Sequence, residues 1–382
     1  MKKSKLFITN IVYFVCVCTL VTLYILDNVI DFSFVNNAVY DTIFSTILQV
    51  GIMFVLPITL YTILRKQKLK TTFSDFKYKS ISPLSVLYCI IIGIGCYLLN
   101  LAIASFFSGL IHLFGYETVP TISSGSGDAN NAWGLLLNLL LVAVFPAICE
   151  ENVHRGMLLN GYSSLGIKRA VILSSVMFGL LHLNINQFFY ATILGFLIAM
   201  ADVMCMSIVP GIIIHFLNNG LGIYLNFATD KNIFGGRVLP WLENLMTGGG
   251  TVTAFFTSFL FLSCLVGLLM LFYYLLLKEM RIKKAKGLYK DAMQIKTNAK
   301  EREMLNKINP NAQPFSNTYL QNLEALNSML KKYDVKPSNK DLVFSKKESK
   351  YHKPTLSELM LIIGTLILTV SITIFTFVWG LL

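Results

Sequence analysis

Charged residues are scarce in this sequence. Asp, Glu, Lys and Arg make up 14% of the 382 residues, while apolar and aromatic residues make up 55%. Soluble domains carry about 25% charged residues, so this composition excludes a water-soluble domain of this length. Several apolar runs exceed the roughly 18 residues that mark a membrane-spanning helix. The sequence therefore predicts an all-α, polytopic transmembrane helical bundle.

Cysteine pairs of the Cys-x-x-Cys type are absent as well. Neither a disulfide framework nor a thiolate zinc site is therefore indicated. We expect the cysteines to act as small buried hydrophobic residues. All of them lie in apolar segments: Cys16, Cys18, Cys89, Cys96, Cys149, Cys205 and Cys264.

The sequence has fewer acidic than basic residues, and its net charge is +12. The basic residues cluster between the apolar runs, as the positive-inside rule requires of cytoplasmic loops. Because topology accounts for this charge, we expect no nucleic-acid partner. The same rule predicts about nine spans, with the N-terminus inside and the C-terminus outside.

The predicted spans divide the chain into five segments. The first span is retained, because the run after Lys5 lacks a small-residue cleavage site. The third is long enough to tilt or break at Gly93 and Gly95. The spans cover about 6–26, 41–64, 83–114, a fourth from Trp133 onward, 170–183, 187–206, 210–227, 251–277 and 356–381. The segments are N-terminal spans 1–132, a polar-motif core 133–228, an external loop and eighth span 229–277, a basic cytoplasmic segment 278–354, and a last span 355–382.

The basic segment carries roughly eighteen Lys or Arg against about eight Asp or Glu, a bias that places it inside. Its first half, 278–307, is predicted to be helical. Such a helix could bind anionic lipid, at ~1 kcal/mol for each well-placed cation. The alternative is a solvated cytoplasmic helix that only obeys the topology rule.

The fourth span contains the run Cys149-Glu150-Glu151-Asn152-Val153-His154-Arg155-Gly156. An ionisable group inside a membrane costs roughly 2.5 to 3.5 kcal/mol on insertion scales, so four together need partners, water or a function. Residues four apart share one helix face. This spacing pairs Glu151 with Arg155 and places Glu150 on the same face as His154.

Two later spans carry polar residues at the same spacing. Phe178 and His182 lie one turn apart, as do His215 and Asn219. The three helices can therefore direct Glu150, His182 and the His215/Asn219 pair toward one point. A carboxylate can activate water, and an amide or imidazole can hold an oxyanion. Two His and a Glu can also bind zinc. The set predicts amide hydrolysis.

At these residues the sequence resembles the CPBP family, which includes the type II CAAX prenyl endopeptidases and membrane proteins of bacteriocin processing and self-immunity. The resemblance rests on Glu150-Glu151-x-x-x-Arg155, Phe178-x-x-x-His182 and His215-x-x-x-Asn219, in that order. It covers about 133–227 and implies an intramembrane endopeptidase with a cavity among its helices.

The resemblance also implies roles. Glu150 would activate water with help from His182, and His215 with Asn219 would stabilise the oxyanion. Glu151 and Arg155 would brace the site. The family has been described both as zinc-dependent and as metal-free glutamate proteases, so a zinc site formed by Glu150, His182 and His215 and a metal-independent mechanism are equally open.

Two departures from the family pattern stand out. His154 occupies a position that is commonly aromatic in the family, so it is either a filler or a group that alters the basicity of Glu150 or adds a ligand. The segment 278–382 lies outside the resemblance. The composition looks bacterial, so we expect the bacterial plasma membrane as the location and a membrane-associated peptide or protein precursor as the substrate rather than a prenylated protein.

Two functions of other classes stay open. One is a non-proteolytic membrane scaffold that acts through partners bound to the basic segment. The other is an ion-coupled transporter using Glu150, Glu151 and Asp202, although no inverted repeat is visible. Asp202 is otherwise expected to be structural or to line a cavity.

Overall fold

The computed structural model describes residues 4–30, 37–112, 131–247, 260–280 and 353–379. Every regular element within these ranges is a helix, which confirms the all-α prediction. The chain divides into two compact units, Met1–Tyr273 with Lys350–Leu382, and Tyr274–Ser349. Of the second unit only 274–280 are described, so the basic segment beyond Met280 lies almost entirely outside the described residues.

The described residues form eleven helices. They are α1 Lys5–Val29, α2 37–65, α3 Leu69–Asp75, α4 Pro83–His112, α5 Ala132–Leu165, α6 Ile167–Leu181, α7 Ile185–Cys205, α8 Val209–Lys231, α9 Val238–Thr247, α10 Leu260–Met280 and α11 Leu356–Trp379. Pro210 lies in the first turn of α8, where a proline removes no helical hydrogen bond. The start of this helix is therefore where the sequence predicts it.

Two of these helices contain π-helical segments. In α2 the π-segment is Ile47–Val55, and in α5 there are two, Leu139–Val144 and Asn152–Leu159. A π-helix closes its hydrogen bonds at i→i+5 instead of i→i+4, and it occurs frequently at functional sites. Side chains in and after these segments are therefore rotated away from the positions that a regular α-helix would give them.

Seven of the described helices are long and apolar enough to cross a membrane: α1, α2, α4, α5, α7, α10 and α11. The other two predicted spans are present as helices but are not among the seven. Helix α6 has only 15 residues, and α8 carries His215, Asn218 and Asn219 within its apolar run. The nine-span count and the orientation stay predictions.

Two details of the predicted topology can be compared with the structure. Helix α4 continues through Gly93 and Gly95 without a break. A methyl group added at Gly93 would lie 2.8 Å from Leu217 Cδ1, so the glycine allows α4 to approach α8 closely. The predicted loop 229–250 contains a helix, α9, at 238–247, and its external location stays a prediction. Its Pro240 lies in the first turn, where proline is compatible with a helix; the triple glycine that follows lies outside the described residues.

Helix α5 is placed to bring the polar motifs together. It packs against α2, α6 and α8, and α6 and α7 form an antiparallel hairpin. The connection between α6 and α7 is short, as the predicted spans 170–183 and 187–206 imply, and Leu183 in it adopts a left-handed conformation with φ 51°. Apolar residues of α1, α2, α5 and α6 form the buried core beside the motif. The motif helices are therefore held by packing on several sides.

Candidate functional site

Glu151 is the centre of a buried polar network. Its side chain is 0% exposed, and its Oε1 accepts hydrogen bonds from Arg155 Nη1 at 3.0 Å and from His215 Nδ1 at 2.9 Å. The ion pair with Arg155 confirms the prediction from the i, i+4 spacing. The second contact was not predicted, because spacing within one helix does not show which residue of α8 reaches α5. Glu151 thus joins these two helices.

Arg155 extends this network to two further helices. Its Nη2 donates to the backbone carbonyl of Gly195 at 3.1 Å in α7. Its guanidinium carbon lies 4.5 Å from the centre of the Phe178 ring in α6, which is a cation–π contact. The side chain is 1% exposed. One arginine therefore connects α5, α6 and α7 with a set of contacts that its planar group suits.

Phe178 separates three imidazole rings. The ring centre of this buried residue lies 5.0 Å from that of His154, 5.3 Å from that of His182 and 5.6 Å from that of His215, each with an edge-on geometry. Edge-to-face arrangements of this kind are the favoured ones for aromatic pairs. Phe178 therefore fixes the spacing of the histidines that the sequence motifs supply.

The hydrogen bonds of two of these imidazoles determine where their protons lie. His182 Nδ1 lies 3.0 Å from the carbonyl of Phe178, and His154 Nδ1 lies 2.8 Å from the carbonyl of Glu150. Because a carbonyl only accepts, Nδ1 carries the proton in both rings, and the neutral ring leaves Nε2 as an acceptor. His154 Nε2 is buried and has no hydrogen-bond partner. His182 Nε2 is not among the buried atoms that lack a partner.

Glu150 contacts a residue that the motifs do not include. Gln49 Nε2 in α2 donates to Glu150 Oε1 at 2.9 Å. Glu150 and His182 are both partly exposed, in contrast to the buried Glu151, Arg155 and His215. The signal that could have identified Gln49 is an amide inside the apolar span 41–64, since polar groups within spans are functional candidates.

Asn219 belongs to a chain of amides. Its Nδ2 donates to the Val142 carbonyl at 3.0 Å, and its Oδ1 accepts from Asn218 Nδ2 at 2.9 Å. Asn218 Oδ1 in turn accepts from Asn100 Nδ2 of α4 at 2.9 Å. A side-chain amide has two protons to donate, so one proton of Asn219 Nδ2 is left for another acceptor. Sequence spacing did not identify Asn100 or Asn218 as part of the site.

The structure thus divides the predicted residues into two sets. His154, Arg155, His182 and His215 surround Phe178, and Glu151 joins Arg155 to His215. Among the described residues no hydrogen bond joins the Glu150 carboxylate to His182, His215 or Asn219. Nor do these ranges contain a group of three or more His, Cys, Asp or Glu side chains placed to hold a metal ion. The zinc ligand set Glu150, His182 and His215 is therefore not gathered in this geometry.

Residues 132–221 match a family model described as type II CAAX prenyl endopeptidase Rce1-like. The match includes all three motifs, from Glu150 to Asn219, and confirms the resemblance predicted from them. Neither the comparison with curated proteins nor that with solved structures finds a match. The Rce1-like family is a family of membrane proteases. The match and the apolar helices together indicate that this chain is a multi-pass membrane protein. Gln49 and Asn100 lie outside the matched stretch.

Proposed function

We propose that this chain is an intramembrane endopeptidase of the bacterial plasma membrane, which hydrolyses a peptide bond of a membrane-associated peptide or protein precursor. The observation that carries the proposal is the division of the polar motifs by exposure. Glu150 and His182 are partly exposed, and directly beside them Glu151 and Arg155 form a buried ion pair. Side chains that react must be accessible to water and substrate. Side chains that only hold the reacting groups in position can be fully buried.

The first step is attack by water. The Glu150 carboxylate takes one proton from a water molecule, and the water oxygen forms a bond to the peptide carbonyl carbon. Gln49 holds Oε1 of Glu150, which leaves Oε2 for the water. His182 Nε2, an acceptor in the neutral ring, can take a second hydrogen bond from the same water. Two acceptors then orient the attacking oxygen.

The second step is stabilisation of the oxyanion and loss of the amine. The Glu151 carboxylate holds Nδ1 of His215, and when this ring carries its second proton, Nε2–H can donate to the oxyanion. The remaining amide proton of Asn219 supplies a second donor. The carbon–nitrogen bond then breaks, and the proton held by Glu150 passes to the leaving nitrogen. All atoms and charges balance without another reactant.

We infer the substrate class from the location of the site. Peptide chains reach a site among membrane-spanning helices only when they are themselves associated with the membrane. A bacterial peptide precursor, such as a leader or pheromone precursor, fits this requirement. A zinc ion bound by Glu150, His182 and His215 stays a separate prediction, and no step above needs it.

The proposal is tested by comparing membranes that contain matched amounts of wild type, Glu150→Gln or Asp230→Asn. Asp230 is an exposed carboxylate on α8 and serves as the control for the loss of one charge. Peptides released from the host membranes are identified by mass spectrometry. We expect peptides that appear with wild type and Asp230→Asn and are missing with Glu150→Gln. Equal peptide sets from all three folded proteins would overturn the proposal and favour the scaffold function.

A further inference from the structure

Asp202 is a buried acid that the proposed reaction does not use. It lies in α7 with 4% of its surface exposed. Its Oδ1 accepts a hydrogen bond from the backbone N–H of Gly211 at 2.7 Å, near the start of α8. Its Oδ2 is sealed from solvent and has no hydrogen-bond donor. Glu151 Oε2, the oxygen that contacts neither Arg155 nor His215, is sealed in the same way.

Asp202 Oδ2 and Glu151 Oε2 both lie against the α-carbon of Gly211. A methyl group added at Gly211 would lie 2.7 Å from Asp202 Oδ2 and 2.9 Å from Glu151 Oε2. The missing side chain of Gly211 therefore lets both carboxyl groups pack against the start of α8. Two ionised carboxylates that share a site repel each other, and burial adds the loss of hydration. One proton between them replaces this repulsion with a hydrogen bond.

The charges around the pair favour one proton. Arg155 binds Glu151 directly, and His215 donates to the same Glu151 oxygen. Among the described residues no Lys or Arg nitrogen forms an ion pair with Asp202. Within the membrane, Arg155 can balance one carboxylate at low cost but not two, because an unpaired charge there is expensive.

Two further titratable groups face Asp202 from neighbouring segments. Lys77 precedes α4, and burial lowers the pKa of its ammonium, while the Asp202 charge acts in the opposite direction. Tyr273 of α10 uses its hydroxyl proton in a 2.7 Å hydrogen bond to the Leu197 carbonyl. Neither group donates a hydrogen bond to Asp202 Oδ2, so this oxygen has no neighbouring donor among the described residues.

We propose that Asp202 is a protonated positioning residue, whose Oδ2–H donates a hydrogen bond to Glu151 Oε2. This bond fixes the Glu151 carboxylate so that Oε1 stays directed at Arg155 and His215. His215 is then held with Nε2 toward the substrate. The inference rests on the proposed function for its catalytic consequence, but the shared proton itself does not depend on it.

Infrared spectroscopy of the purified full-length protein tests the proton. A protonated carboxyl group has a C=O band separate from the carboxylate bands, and carbon-13 labelling of aspartate assigns it. We expect a labelled-aspartate C=O band at neutral pH in wild type, Glu150→Gln and the control Asp230→Asn, and its loss in Asp202→Asn. Absence of the band in wild type, or its persistence in Asp202→Asn, would overturn the inference, whether or not the protein cleaves peptides.

Peptidase kinetics test the positioning. Asp202→Ala removes the proton donor, and we expect kcat to fall about tenfold or more with little change in KM. Asp202→Asn keeps an acceptor for Gly211 and a permanent N–H donor for Glu151, so we expect it to restore kcat to within about threefold of wild type. An Asp202→Asn protein as slow as Asp202→Ala would indicate an ionised Asp202 or a bound cation and would contradict the inference. No cleavage by wild type would instead overturn the proposed function, and the infrared band would still decide the shared proton.

Discussion

Gln49 Nε2 lies 2.9 Å from Glu150 Oε1, although 101 residues separate the two in the chain. The amide comes from the π-helical segment of α2 and the carboxylate from α5. Gln49 Oε1 is itself buried without a partner, so this amide has an acceptor left beside the proposed base. The carboxylate that is expected to activate water is thus held by a residue outside the family match.

Gln49→Leu should lower kcat about tenfold and leave KM nearly unchanged. A hydrogen bond to a charged group contributes roughly 1.5–3 kcal/mol, and its loss here affects the base and not the substrate. Steady-state kinetics on a cleaved peptide give both constants. Thr46→Val is the control, because the Thr46 hydroxyl donates only to the Thr42 carbonyl of its own helix. If Gln49→Leu changes kcat no more than Thr46→Val does, Gln49 has no part in positioning Glu150.

His154→Phe should keep activity within about threefold of wild type. The ring lies edge-on between Tyr13 and Phe178, and its unpartnered Nε2 is a burial cost of roughly 1–3 kcal/mol that a phenyl ring removes. His154→Ala should instead lower the free energy of unfolding by about 2–5 kcal/mol, because it leaves a cavity. Activity assays and thermal unfolding in detergent measure the two effects. A His154→Phe protein as inactive as Glu150→Gln would place His154 in the chemistry.

Arg155→Met should lower the free energy of unfolding by about 3–5 kcal/mol, since it removes the positive charge that balances the buried Glu151 carboxylate. The double variant Glu151→Gln/Arg155→Met should recover part of that loss, because neither charge then remains. Thermal unfolding of purified protein in detergent gives the comparison. Arg237→Met, which removes an exposed arginine, is the control and should have almost no effect. A double variant less stable than Arg155→Met would contradict the ion-pair explanation.

Asn218→Leu should lower kcat about tenfold, less than the roughly 10²–10³-fold expected for Asn219→Ala. Without the Asn218 donor, the Asn219 amide loses the bond that orients its Oδ1 and is free to rotate. Kinetics of the two variants test this order. Asn226→Leu, at an exposed position on the same helix, is the control. Equal kcat values for Asn218→Leu and Asn226→Leu would show that the amide chain does not orient Asn219.

Chelation should not abolish cleavage. The proposed steps use Glu150, imidazoles and amides, and the described residues include no group placed to hold a metal ion. We expect the rate in the presence of 1,10-phenanthroline to stay within about twofold of the untreated rate, a difference too small to represent loss of the base, which typically costs 10²–10⁴-fold. Metal analysis of the purified protein accompanies the assay. Inhibition that added zinc reverses would establish the metallo-type mechanism instead.

Features that depend on one helix at a time could be predicted from the sequence. The Glu151–Arg155 ion pair follows from residues four apart on one turn, and the start of α8 follows from Pro210. The order of the three motifs was enough to indicate the family that residues 132–221 match. Local hydrogen bonding fixes these relationships, so no knowledge of neighbouring helices is needed.

Contacts between helices could not be predicted in the same way. The spacing directed His215 and Glu150 toward one point, and the structure bonds His215 to Glu151. The π-helical segments Leu139–Val144 and Asn152–Leu159 on either side of the acidic pair change the rotation that a 100° step per residue assumes. Which side chain of one helix meets which of another therefore depends on details that periodicity does not contain.

Apolar length and polar spacing are local properties, so the amino-acid sequence was enough to predict a helical membrane protein and to indicate the candidate site residues. The contacts of Gln49 with Glu150, of Glu151 with His215, and of Asp202 and Glu151 with the same glycine became visible in the folded chain alone. These partners come from different helices. Their contacts are set by close packing, to which Gly211 contributes by leaving room where any other side chain would separate the two acids.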